Sequence, residues 1–183
     1  MEKNSLKAKL LKMTLSVIIG LMGIALVLIY ELDAHEYPEA RLTGLTEQSK
    51  CMAEAIYFEA GNQPFIGKMA VGNVIKNRIK SSKYPNTICD VVHQGPVRES
   101  WKKDGTQYPI RHKCQFSYWC DGRSDEPQHG SITWKASVYA AQELEHSMDY
   151  LQGATNYHAF YVSPSWAHNM QKVVEIEDHI FYK

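Results

Sequence analysis

Two apolar helical patterns between residues 49 and 80 meet at the breaker run Gly61-Asn62-Gln63-Pro64, and this junction constrains the fold more than any other stretch. The first pattern runs from about Thr46 or Ser49 to Ala60, with Met52, Ala55, Ile56 and Phe58 or Glu59 on its inward stripe. The second follows Pro64: Ala70, Val71, Val74, Ile75 and Ile79 recur at helical spacing, with Lys76, Asn77, Arg78 and Lys80 among its polar positions. Helices joined by so short a turn pack on each other. Glu59 then lies in the last turn of the first helix, facing the loop. A carboxyl so placed is partly desolvated, and desolvation raises its pKa toward the range of a general acid. Glu54 is about 140° away around the same helix, so one cleft cannot use both; it reads as a solvated or paired side chain.

Residues 81–86 read as a turn, and Thr87 can start a short helix through Val92. Gln94 to His112 reads as a long surface loop and a candidate wall for a cleft. Ser131 caps a third long helix carrying Trp134, Val138, Ala141, Leu144 and Met148 on one face. Beyond Gly153, the alternation of Tyr157, Ala159 and Tyr161 and the closing Ile180-Phe181-Tyr182 look strand-like. The expected class is mainly α, with a minor β part.

Met13 to Tyr30 contains no charged residue, and as a helix it would span about 27 Å, close to the hydrocarbon thickness of a bilayer. Lys3, Lys7, Lys9 and Lys12 precede it, while Glu31, Asp33, Glu36 and Glu39 follow before Arg41. The positive-inside bias therefore predicts a single-pass inner-membrane protein with a cytoplasmic N-terminus and its domain on the periplasmic side. Leu32-Asp33-Ala34 is a poor cleavage site, which favours an uncleaved signal-anchor over a signal peptide. The expected organisation is a basic segment over 1–12, an anchor over 13–30, a linker over 31–48 and one domain over 49–183.

Cys51, Cys89, Cys114 and Cys120 all lie in the part expected to be exported, where an oxidising compartment favours two disulfides. Of the three possible pairings, Cys114 with Cys120 and Cys51 with Cys89 is the expected one. Zinc competes only through His112 beside Cys114; no second close ligand pair and no HExxH spacing occurs, so no metal and no cofactor is expected. No concentrated basic face is present, which sets nucleic acid aside as a partner.

The segments CMAEAIYFEAGNQPFIG, KMAVGNVIKNRI, YPNTICDVV, CQFSYWCDG, GATNYHAFYVSPSWA and DHIFYK occur in the order found in one family. Over about residues 50 to 183 the chain resembles the SleB-like cell wall hydrolases. That resemblance implies a lysozyme-like, transglycosylase-type single domain that cleaves the peptidoglycan glycan strand, with Glu59 as the catalytic acid. It also implies that Gln115, Phe116, Ser117, Tyr157 and His158 belong to the substrate-binding cleft. Where the family usually has Arg-Gly-Glu after its "EA", this chain has Gly61-Asn62-Gln63, so an acid that often follows the catalytic Glu in the family is an uncharged Gln here.

An inverting hydrolase needs a second carboxylate about 6.5 to 9.5 Å from the first, and Asp121, Asp125, Glu126 and Asp178 are the candidates. A lytic transglycosylase needs only one, because the muramic C6 hydroxyl attacks its own anomeric carbon. Cleavage between N-acetylmuramic acid and N-acetylglucosamine by transglycosylation is the expected activity. A hydrolytic muramidase and a non-catalytic, membrane-anchored wall-binding module are the alternatives.

Overall fold

The structure, a computed structural model, describes residues 44–183. Among these no helix is long and apolar enough to cross a membrane. The expected anchor over 13–30, the basic segment before it and most of the linker lie outside the described residues.

Helix α1 (Glu47–Ala60) starts where the Thr46 hydroxyl accepts the Ser49 N–H at 3.1 Å, and Glu47 sits favourably against the positive end of the helix dipole. It ends at Gly61, where any Cβ would lie 2.4 Å from the Tyr57 carbonyl oxygen. After Pro64 comes α2 (Phe65–Lys80), and then a short α3 (Ile88–Val92) capped by Thr87. The Gln48 side chain accepts the Ile88 and Cys89 N–H groups at 2.7 and 3.2 Å, satisfying free donors at the start of α3. Residues 47 and 48 thus belong to the domain, which begins earlier than position 49. A disulfide joins Cys51 on α1 to Cys89 on α3.

The stretch read as a structureless loop contains a hairpin, β1 (Val97–Glu99) paired antiparallel with β2 (Gln107–Pro109). Its strands are short and mostly exposed, so they leave no alternating pattern in the sequence. Helix α4 (Ile132–His146) is capped by Ser131 as expected, but it stops before Met148, which is exposed. Lys76 reaches across from α2 to the carbonyls of Leu144 and Ser147 and closes that end. Strands β3 (Asn156–Ala159), β4 (Lys172–Ile176) and β5 (His179–Tyr182) form an antiparallel sheet of order β3-β5-β4.

Helix α2 lies between two layers. One side packs with α1 and α4 around Ile56, Ile75, Val138 and Leu144; the other meets the sheet through Ala70, Val74 and Phe181. Burial on both sides takes in some of the polar positions of α2: Asn77 and Arg78 are buried, as are Lys68 and Asn73. Each has a carbonyl partner. Asn73 donates to Met69 O, Asn77 to Ala154 O and Arg78 Nε to Thr155 O, the last at 2.8 Å. Lys68 donates to the carbonyls of Ala60, Gly61 and Gln63, so a side chain of α2 fixes the carboxyl end of α1.

Candidate active site

Glu59 is half-buried in the last turn of α1, the turn that Lys68 holds. Its Oε2 accepts a hydrogen bond from the Tyr157 hydroxyl at 3.1 Å. The Ser117 backbone N–H donates to the same carboxyl, and the Arg78 guanidinium acts on it electrostatically. Burial dominates and raises the Glu59 pKa above the usual 4.5; the Tyr157 bond, the Ser117 N–H and Arg78 oppose it in that order. No carboxylate is among the groups that perturb Glu59.

The expected site residues divide. Tyr157 reaches Glu59, and Ser117 meets it through its backbone at the start of a 3₁₀ turn, Ser117–Cys120. The Cys114–Cys120 disulfide closes the short loop containing that turn. Gln115 is exposed, with its backbone N–H bonded to Gln94 O at 2.8 Å. Phe116 departs from expectation: it is 1% exposed and packs in the core, so it cannot touch substrate. Its ring lies beneath Arg78, 5.2 Å from the guanidinium carbon. His158 also departs. Neighbours on a strand point to opposite faces, so with Tyr157 directed at Glu59, His158 faces the other way, where its Nε2 meets the Tyr182 hydroxyl at 3.0 Å and its ring packs on Trp166.

Of the second carboxylates considered from sequence, Asp178, Asp121 and Glu126 have hydrogen-bond partners of their own, whereas Asp125 Oδ1 is buried without one among the described residues. Asp178 accepts from the Gln63 amide at 2.9 Å, so the departure at Gly61-Asn62-Gln63 has a structural use: it ties the end of α1 to the β4–β5 turn. Asp125 and Glu126 lie near Glu54, which pairs with Lys50 at 3.5 Å, and Asp121 accepts the Arg123 N–H. Among the described residues no three His, Cys, Asp or Glu side chains converge as a metal site.

Arg78 and Tyr84 escaped the sequence reading. Arg78 is 4% exposed, its guanidinium carbon sits 5.2 Å over the Tyr84 ring, and the Tyr84 hydroxyl donates to Asn156 at 3.3 Å. The available signal was a charged residue four positions after Val74 on an otherwise apolar face.

A partly desolvated carboxyl at a helix end, held by a phenol and a peptide N–H and acted on by a buried guanidinium, defines an enzyme-type site suited to proton transfer. The chain belongs to the Cell Wall Hydrolase family, whose sequence pattern matches residues 62–182. That segment contains Arg78, Ser117 and Tyr157 and begins just after Glu59. The chain is 42% identical over 43 residues to a spore cortex-lytic enzyme of Bacillus cereus, covering 24% of this chain and 17% of that protein. To the spore cortex-lytic enzyme of Bacillus subtilis it is 34% identical over 59 residues, 32% of this chain and 19% of the relative. The chain thus spans less than a fifth of these relatives. The catalytic domain of the germination-specific lytic transglycosylase SleB from Bacillus anthracis has a similar structure, with TM-score 0.53 and 25% identity over 77% of this chain and 98% of that one. The catalytic domain of Bacillus cereus SleB shares the fold at TM-score 0.52 and 24% identity, over 77% of this chain and 94% of the other.

Proposed function

We propose that this protein cleaves the glycan strand of peptidoglycan between N-acetylmuramic acid and N-acetylglucosamine as a lytic transglycosylase, with Glu59 as acid and then base. The observation that carries this reading is a carboxyl of raised pKa held by the Tyr157 hydroxyl, with no carboxylate, among the described residues, acting on it. Family membership and the likeness to SleB support peptidoglycan as the substrate.

In the proposed reaction, protonated Glu59 gives its proton to the bridging oxygen and the bond from the anomeric carbon to that oxygen breaks. The muramic C6 hydroxyl then attacks the anomeric carbon, and its proton passes to the Glu59 carboxylate, which restores the acid. Arg78, Tyr157 and the Ser117 N–H steady the carboxylate between the two transfers. Products from purified sacculi should carry 1,6-anhydromuramic ends, about 18 Da lighter than reducing ends because no water is added. Mass analysis that finds only reducing ends would make the enzyme a muramidase.

Tyr157→Phe separates positioning from chemistry. The lost hydroxyl is the largest influence lowering the Glu59 pKa, so the variant carboxyl titrates higher and the alkaline limb of the pH–rate profile should move to higher pH. A limb that stays in place, or moves down, would break the link between Tyr157 and the acid.

The proposed location is the outer face of the inner membrane, with residues 13–30 as a single-pass anchor, 1–12 in the cytoplasm and 31–48 largely a tether. The uncharged run and the lysine cluster before it support this. Alkaline phosphatase fused after Lys183 should be active in cells; activity from a cytoplasm-only reporter at the same point would reverse the topology.

A further inference from the structure

Lys80, Lys83 and Lys183 line a cleft of ≈ 430 Å³ together with Ser81, Asp149 and Thr155. Among the described residues none of the three ammonium groups has an ion-pair or hydrogen-bond partner. Asp149 does not neutralise them by pairing, because its two oxygens accept the backbone N–H groups of Leu151 and Gly153 at 2.8 and 2.7 Å. A basic residue at the end of α2 complements the helix dipole, which accounts for Lys80 but not for lysines arriving from two further segments. Three lysines lining one cleft, with hydroxyls beside them, outnumber Asp149 and form a receptor for an anion.

The cleft also shares a wall with the candidate site. The Thr155 carbonyl accepts from Arg78, Lys83 is followed by Tyr84, which lies under that guanidinium, and Tyr157 on β3 stands two positions after Thr155. Strand geometry separates Thr155 from Tyr157 by about 7 Å. A substituent on a sugar held at Glu59 would extend along this wall toward the lysines. Peptidoglycan carries such a substituent: each muramic acid bears a peptide stem with free carboxylates. Resting on the glycan-cleaving reading above, we propose that this cleft receives a carboxylate of the peptide stem and selects strands that still carry stems.

The test uses the full chain and a Lys80→Gln/Lys83→Gln/Lys183→Gln variant on two substrates: intact strands, and strands whose stems an amidase has removed. The wild type should favour intact strands, and the variant should lose about tenfold in kcat/KM on these alone, since each exposed pair contributes a factor of about two. High salt should erase the difference. An equal loss on both substrates, or no loss, overturns the proposal. So does a loss that disappears on sacculi stripped of phosphate-bearing polymers, because it would assign the lysines to phosphate. If neither substrate is cleaved, the activity assigned to Glu59 has failed and binding still judges the cleft. Calorimetry should then show the wild type, but not the variant, binding a disaccharide-tetrapeptide more tightly than the bare disaccharide; equal binding by the wild type overturns the proposal.

Discussion

Glu59→Gln should abolish glycan cleavage while leaving the domain folded. The amide keeps the size of the carboxyl and its oxygen can still accept from Tyr157, but it has no proton to deliver at the pH of the reaction. A general acid contributes roughly 10²- to 10⁴-fold in rate, and more when the same group also acts as base, so dye release from labelled peptidoglycan should fall to background. Glu54→Gln should cost little, since Glu54 pairs with Lys50 and it is Glu59 that Tyr157 holds. Stability should move the other way. The folded pKa of Glu59 lies above its unfolded value, so the native state holds the extra proton and wild-type stability falls as pH rises through that window. The Gln variant lacks this loss. It should therefore melt above the wild type at neutral pH, and the gain should vanish in acid. Full activity in Glu59→Gln would remove the site assignment; unchanged melting at neutral pH would remove the desolvation argument.

Replacing Cys51 and Cys89 together by alanine should cost about 4 kcal/mol by the loop-entropy relation for the 38-residue separation the bridge closes. The shorter Cys114–Cys120 bridge, with a separation of 6, should contribute about 2 kcal/mol by the same relation. Against a total stability of about 5–15 kcal/mol, the first loss is large. Its structural consequence is specific: α3 would be tied to α1 chiefly by apolar packing and the two Gln48 hydrogen bonds. Under the proposed topology the domain gains this stability only after export, so protein trapped in a reducing compartment should unfold more readily. Denaturant titration with and without reductant measures the difference; a change under about 1 kcal/mol in the Cys51/Cys89 variant would show that the bridge constrains little.

Much of the fold was legible because its signals are local. Thr46, Thr87 and Ser131 cap helices within three residues of themselves, and Gly61 with Pro64 separates α1 from α2, so these boundaries depend on a few neighbouring groups. The position of Glu59 at the helix mouth followed from the same breakers. The hairpin at 97–109 left no trace, because strands of three mostly exposed residues have no buried face to pattern.

The sequence by itself determined where the helices begin and end and which carboxyl stands at the opening of the first. Only the tertiary structure decided that the buried Arg78 acts on that carboxyl, that Lys68 caps the helix bearing it, that Phe116 is core and that Tyr157 rather than His158 faces it. The reason is the double burial of α2. A helix covered by α1 and α4 on one side and by a sheet from beyond residue 155 on the other has no solvent face to reveal its orientation. Its polar side chains are placed instead by carbonyls such as Ala154 and Thr155, more than 70 positions away along the chain.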